Sequence, residues 1–198
     1  MKWITREKVK VDRVACPWLV KNFIDPQAEF VFLPRETDWS KVRDGVVYDV
    51  PDCELGHHGE DVSFDSILKK YQLTDPALLL LADIVRAADS HPSNPHPAGE
   101  GLRWIASGFG VLGLSDHEIL EREFVVYDAL YAECKRRVKE NHRWNTDKHR
   151  SVILSRKSFA GRKGFFFALL ALFAASRRIL GWTFTAKARS TRRKREGL

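Results

Sequence analysis

The sequence is poor in cysteine. Its three cysteines, at 16, 53 and 134, are widely spaced and odd in number. That argues against a disulfide framework and fits a reducing compartment. There is no apolar stretch of about 20 residues, the length that spans a bilayer. Residues 164–175, GFFFALLALFAA, are continuously apolar for only three turns. The first residues, MKWITREKVKVDRV, contain no apolar h-region, so they do not read as a signal peptide. These absences point to a cytoplasmic chain. Zinc-finger ligand spacing, internal repeats and a known catalytic signature are also missing.

What the chain has is enough apolar material for a core: 44% of its 198 residues are hydrophobic. Its net charge of +7 hides a split. Residues 1–134 carry 14 Lys and Arg against 23 Asp and Glu, a balance of −9. Residues 135–198 carry 19 against 3, a balance of +16. An acidic body does not resemble a nucleic-acid-binding domain, whereas a basic tail suits nucleic acid or an anionic membrane surface. This divides the chain into a domain at 1–140 and an extension at 141–198. The apolar segment 164–175 needs burial, on the body, in a homo-oligomer or at a membrane surface. The final KARSTRRKREGL has the composition of a disordered basic arm.

The chemistry concentrates in residues 49–60, DVPDCELGHHGE. Glu54, His57 and His58 stand there among Asp49, Asp52, Cys53 and Glu60. The stretch follows GVVYDV, which reads as a strand, so the cluster falls where a loop leaves a rigid edge. Imidazole and carboxylate together suit zinc, iron or manganese better than calcium. The competing reading is a polar turn shaped by Gly56 and Gly59, with solvated histidines.

Along the chain, residues 2–6 read as a strand, which residues 8–11 extend. Pro17 is favoured at the first position of a helix, so a helix is expected to start there and end at Asp25-Pro26. Cys16 would then precede a helix N-terminus, which lowers a thiol pKa and favours anions. Arg13 would add a fork of donors for an oxyanion. Alternatively, Cys16 is a small buried hydrophobe and Arg13 pairs with a carboxylate. Strands follow at 28–33 and 45–50.

Helices come next. Ser63 is placed to cap one, Thr74-Asp75-Pro76 opens another, and residues 101–112 hold a third. Ser115 to Glu118 reads as a capping box opening a long helix to about residue 137. His117 and Glu121, four apart, share a face of its first turn and can supply two further metal ligands to His57 and His58. The loop histidines His91 and His96 are weaker candidates. The fold class is α+β: a small N-terminal sheet, a mostly helical C-terminal half and a basic appendage.

Four segments, VDRVACPWLVKNFIDPQAEFVFLP, DVPDCELGHHGEDVSFDSILKKY, TDPALLLLADIVRAAD and DHEILEREFVVYDALYAECKR, resemble in order the C-terminal domain of the chromate-resistance ChrB family. Arg13, Cys16, Glu54, His57, His58, His117 and Glu118 fall within those segments. The resemblance implies a stress-response protein of chromate-resistance operons, where family members act as chromate-responsive transcription regulators. Longer members carry a DNA-binding domain ahead of this one, which is not among these residues. The apolar-basic tail is outside the family pattern. Two functions follow as expectations. One is a sensor holding a divalent transition metal on His57, His58, Glu54, His117 and Glu121, with chromate or another oxyanion at Arg13 and Cys16. The other is a metal- or thiol-dependent enzyme of chromate detoxification.

Overall fold

A computed structural model describes residues 1–144 of the chain. The expected apolar helix at 164–175 and the basic arm lie outside the described residues. Strand β1 (Lys2–Arg6), helix α1 (Val11–Phe23) and strand β2 (Glu29–Leu33) form a strand–helix–strand unit whose strands pair in parallel. The short strand β3 (Val46–Val47) pairs in parallel with the other edge of β1, giving the order β2-β1-β3. Being central, β1 buries Trp3, Ile4 and Thr5 in succession rather than alternating.

Helices α2 (Ser63–Lys70), α3 (Pro76–Asp89) and α4 (Ala98–Phe109) follow. A last helix, α5, covers residues 116–144. This is the expected α+β architecture. None of the described helices is long and apolar enough to cross a membrane.

Two caps form as their sequences direct. Asp75 accepts from the Ala77 N–H at 2.8 Å with Pro76 opening α3. The Ser115 N–H donates to Glu118 at 2.8 Å at the head of α5. α5 then docks through aromatic contacts. Trp18 of α1 meets Tyr131 edge-on at 5.5 Å and donates from its indole N–H to Asp128 at 2.8 Å.

Five expectations are corrected. Helix α1 begins at Val11, so Pro17 lies inside it and Cys16 is a mid-helix residue. Residues 8–11 therefore do not extend β1; Lys8 turns the chain with φ 61. The third strand has only two residues, because Asp49 takes a left-handed φ of 49 and turns the chain out of the sheet. Ser63 does not cap α2. It is the helix's first residue, and its hydroxyl donates to Asp49 at 3.2 Å. The fourth helix starts three residues earlier than expected, at Ala98.

Candidate metal centre

In open parallel sheets, ligands bind beyond the carboxyl ends of the strands, where the strand order reverses. Here the reversal is at β1, since the chain passes from β1 to β2 on one side and returns to β3 on the other. Arg6 ends β1, Asp12 opens α1 just after it, and Asp49 follows β3. The 49–60 loop folds back over this edge, tied by a parallel bridge between Tyr48 and Leu55. Gly56 leaves room for a close backbone approach in that loop. A Cβ there would lie 3.1 Å from the Val50 carbonyl and 3.2 Å from that of Cys53.

The loop brings the His57 imidazole over three carboxylates from three parts of the fold. Its Nε2 is 3.4 Å from Asp12, 3.4 Å from Asp49 and 3.5 Å from Asp89, the last residue of α3. The imidazole is 43% exposed, whereas the Asp12 side chain is only 1% exposed. Asp12, His57 and Asp89 each offer one ligand atom within 4.8 Å of the others, and no other such group occurs among the described residues.

Each member is held from behind. Asp12 accepts the Ser63 N–H at 2.6 Å and the Phe64 N–H at 3.1 Å, so it caps α2 from across the fold. Asp49 binds the Ser63 hydroxyl through one oxygen and Arg13 Nε, at 3.2 Å, through the other. Asp89 sits at the negative end of the α3 dipole, where a carboxylate is disfavoured.

The electrostatics follow. Hydrogen bonds to Asp12 and Asp49 raise the His57 pKa to about 10. Burial, then repulsion from Asp12 and Asp49, raises Asp89 to about 6. Burial raises Asp12 as well. With His57 and Arg13 both cationic, three ionised aspartates still leave one negative charge in excess. Buried carboxylates gathered against their own repulsion are the arrangement a bound cation relieves.

The other candidate residues are dispersed. His58 Nε2 contacts the Glu54 carbonyl at 2.9 Å, and its backbone pairs with Asp61. The Glu54 carboxylate pairs with Lys70. His117 Nε2 contacts the Phe30 carbonyl at 3.1 Å, with its ring edge-on to Phe32. Glu121 is exposed one turn further along α5. None of these four joins the Asp12–His57–Asp89 group. His91 meets Arg103 at 3.4 Å, and His96 accepts from the Ala98 N–H.

Cys16 is fully buried, with its thiol 3.5 Å from Asp12. Burial, reinforced by Asp12, pushes its pKa well up, the reverse of the lowering expected at a helix N-terminus. Arg13 pairs with Asp49 and donates to the Glu7 carbonyl at 3.1 Å.

Asp12 and Asp89 are the site residues that sequence spacing did not bring forward. Each had a signal: an acidic residue in the apolar run VDRVAC, and one closing an apolar helix at its unfavourable end.

A carboxylate–histidine cluster at the carboxyl edge of a small parallel sheet is thus the centre the fold defines. Residues 3–134 match the family described as ChrB, C-terminal domain. The chain belongs to that family, and so to the chromate-resistance ChrB proteins. It is 31% identical over 131 residues to Protein ChrB of Cupriavidus metallidurans strain CH34, covering 66% of this chain and 40% of that protein. It thus spans well under two thirds of that relative. No solved structure matches the chain.

Proposed function

We propose that the chain is a cytoplasmic, divalent-metal-binding sensor module of the ChrB type, with the metal held by Asp12, His57 and Asp89. One observation carries this reading: a single imidazole nitrogen within 3.5 Å of carboxylate oxygens from three separate parts of the fold. The imidazolium occupies the place of a counter-cation. A divalent ion would take that place with the imidazole neutral, cancelling three carboxylates together with Arg13. Two carboxylates and an imidazole suit zinc, iron or manganese. Asp49 and Arg13 would orient the ligands rather than bind the ion.

Arg13 and Cys16 do not support a free oxyanion site. Arg13 is neutralised by Asp49, Cys16 is sealed in the core, and the surrounding aspartates repel a dianion. The same facts weigh against a thiol enzyme, whose nucleophile must be exposed and ionised. A metalloenzyme is the second reading. Three protein ligands leave an open coordination position of the catalytic type, and turnover under metal-loaded conditions would favour it over a sensor.

The test is metal content by elemental analysis after loading with zinc, iron or manganese and dialysis. Wild type is expected to keep about one ion per chain, and His57→Ala and Asp89→Asn to lose it. His117→Ala should keep it. Retention in His57→Ala, or none in wild type, would overturn the assignment.

A further inference from the structure

Among the described residues, eight large apolar side chains are exposed. Four of them, Trp104, Ile105, Val111 and Leu112, stand together on α4 and in the turn after it. Clustered exposure of this kind marks a contact surface, whereas scattered apolar residues do not. Trp104 is 73% exposed, and its indole N–H donates to Glu100 at 2.6 Å. The one polar atom of the ring is thus satisfied, and the rest is apolar surface. Gly101, Trp104, Ile105 and Gly108 are spaced to share one face of α4, away from the buried Leu102 and Ala106. A Cβ added to Gly101 or Gly108 meets nothing within 4 Å, so packing among the described residues does not call for glycine at either. Glycine weakens a helix interior relative to alanine, and its use there is accounted for when another backbone comes close. Gly99 differs, since its Cβ would lie 2.5 Å from that of Ala87. That close packing, with Arg103 Nη2 donating to the Ala87 and Ser90 carbonyls at 2.7 and 2.8 Å, fixes α4 on the end of α3. The exposed face is therefore preformed.

We propose that this face binds a second copy of the chain, with two α4 helices packed antiparallel across a two-fold axis. Shape and charge both select a second copy. In an antiparallel pair crossing between Ile105 and Gly108, Trp104 and Ile105 of each copy meet Gly108 of the other. Leu112 of each then meets Gly101 of the other. Large residues face small ones in both directions, the self-complementarity that an isologous interface requires. The helix dipoles also run in opposite senses. Residues 1–134 carry 14 Lys and Arg against 23 Asp and Glu, so two copies repel over most of the body. From Trp104 to Ser115 there is no charged residue, so here two identical surfaces can meet without opposing like charges. An anionic membrane would call for several Lys and Arg around the apolar residues. The charged residues of α4 are Glu100 and Arg103, and Arg103 is engaged with α3. The inference is independent of the metal-binding reading.

The experiment measures self-association of the full chain by analytical ultracentrifugation over a range of concentrations. The proteins are wild type, Trp104→Glu, the pair Gly101→Ala with Gly108→Ala, and Val125→Glu. Trp104 and Val125 are both well exposed, so the charged variants should fold. Wild type is expected to dimerise. The dissociation constant should rise about tenfold or more in Trp104→Glu and in the double-alanine variant, and stay unchanged in Val125→Glu. The dilute double-alanine variant should melt no lower than dilute wild type, since alanine favours a helix, so its weaker association would not come from unfolding. A wild type that stays monomeric at every concentration, or a dimer that Trp104→Glu and the double-alanine variant leave intact, overturns the inference. So does unchanged self-association in Trp104→Glu together with lost binding to phosphatidylglycerol vesicles, which would make the face a membrane contact.

Discussion

Asp12 reaches 51 residues along the chain to accept the backbone N–H of Ser63 at 2.6 Å. One carboxylate therefore opens its own helix, caps another and faces His57. Site and fold share a residue, and the local predictions follow from that sharing.

Asp12→Ala leaves the buried Ser63 and Phe64 N–H groups without their acceptor. The expected cost in urea unfolding is about 1–3 kcal/mol, with Asp12→Asn less affected because an amide oxygen still accepts. A change below about 0.5 kcal/mol for Asp12→Ala would mean that α2 does not depend on this cap.

Glu123 is a second buried acid, fully shielded on α5 with both carboxylate oxygens unpartnered. Burial raises its pKa from 4.5 to about 7. The folded state keeps the proton longer than the unfolded chain does. Its contribution to stability is therefore complete below pH 4.5 and is lost as pH rises through about 7. Glu123→Gln, which stays neutral, should be more stable than wild type at pH 8 by about 2 kcal/mol and equal near pH 4. A constant difference across that range would show that the acid is solvated.

His57 gives a test of the same sign at higher pH. Its pKa is raised from 6.5 to about 10 by Asp12 and Asp49. In metal-free protein the stabilisation by the imidazolium is complete below pH 6.5 and disappears as pH rises through about 10. A metal must displace that proton, so affinity should rise with pH through the neutral range. Calorimetry in buffers of different ionisation enthalpy should report release of about one proton per metal at pH 7. No proton release would place the metal away from His57.

His117 tests the boundary of the site. Its contact with the Phe30 carbonyl ties α5 to the edge strand. His117→Ala should cost about 1 kcal/mol of stability and leave metal affinity unchanged. A loss of metal affinity equal to that in His57→Ala would join it to the centre.

The local signals in the sequence were the legible ones. Asp75-Pro76 and Ser115–Glu118 fix helix starts by short-range hydrogen bonds, which spacing reveals. Residues 28–33 and 45–50 were both legible as strands, but the left-handed Asp49 shortened the second. Pro17 misled. It lies in the interior of α1, which starts at Val11, and the helix forgoes there the N–H that would reach the Arg13 carbonyl. The loop carrying His57 stood out by composition, but its partners did not. Asp12 and Asp89 lie 45 and 32 residues away along the chain and meet His57 only through the packing of α1 and α3. His58, one residue away, is turned to the Glu54 carbonyl, a choice of side that spacing does not encode.

The most direct measurement is anomalous diffraction at the metal absorption edge from crystals of loaded protein. One anomalous peak is expected, within bonding distance of His57 Nε2 and of carboxylate oxygens of Asp12 and Asp89. A peak on His58 and Glu54, or on His117 and Glu121, or no peak in protein of known metal content at this cluster, would contradict the account.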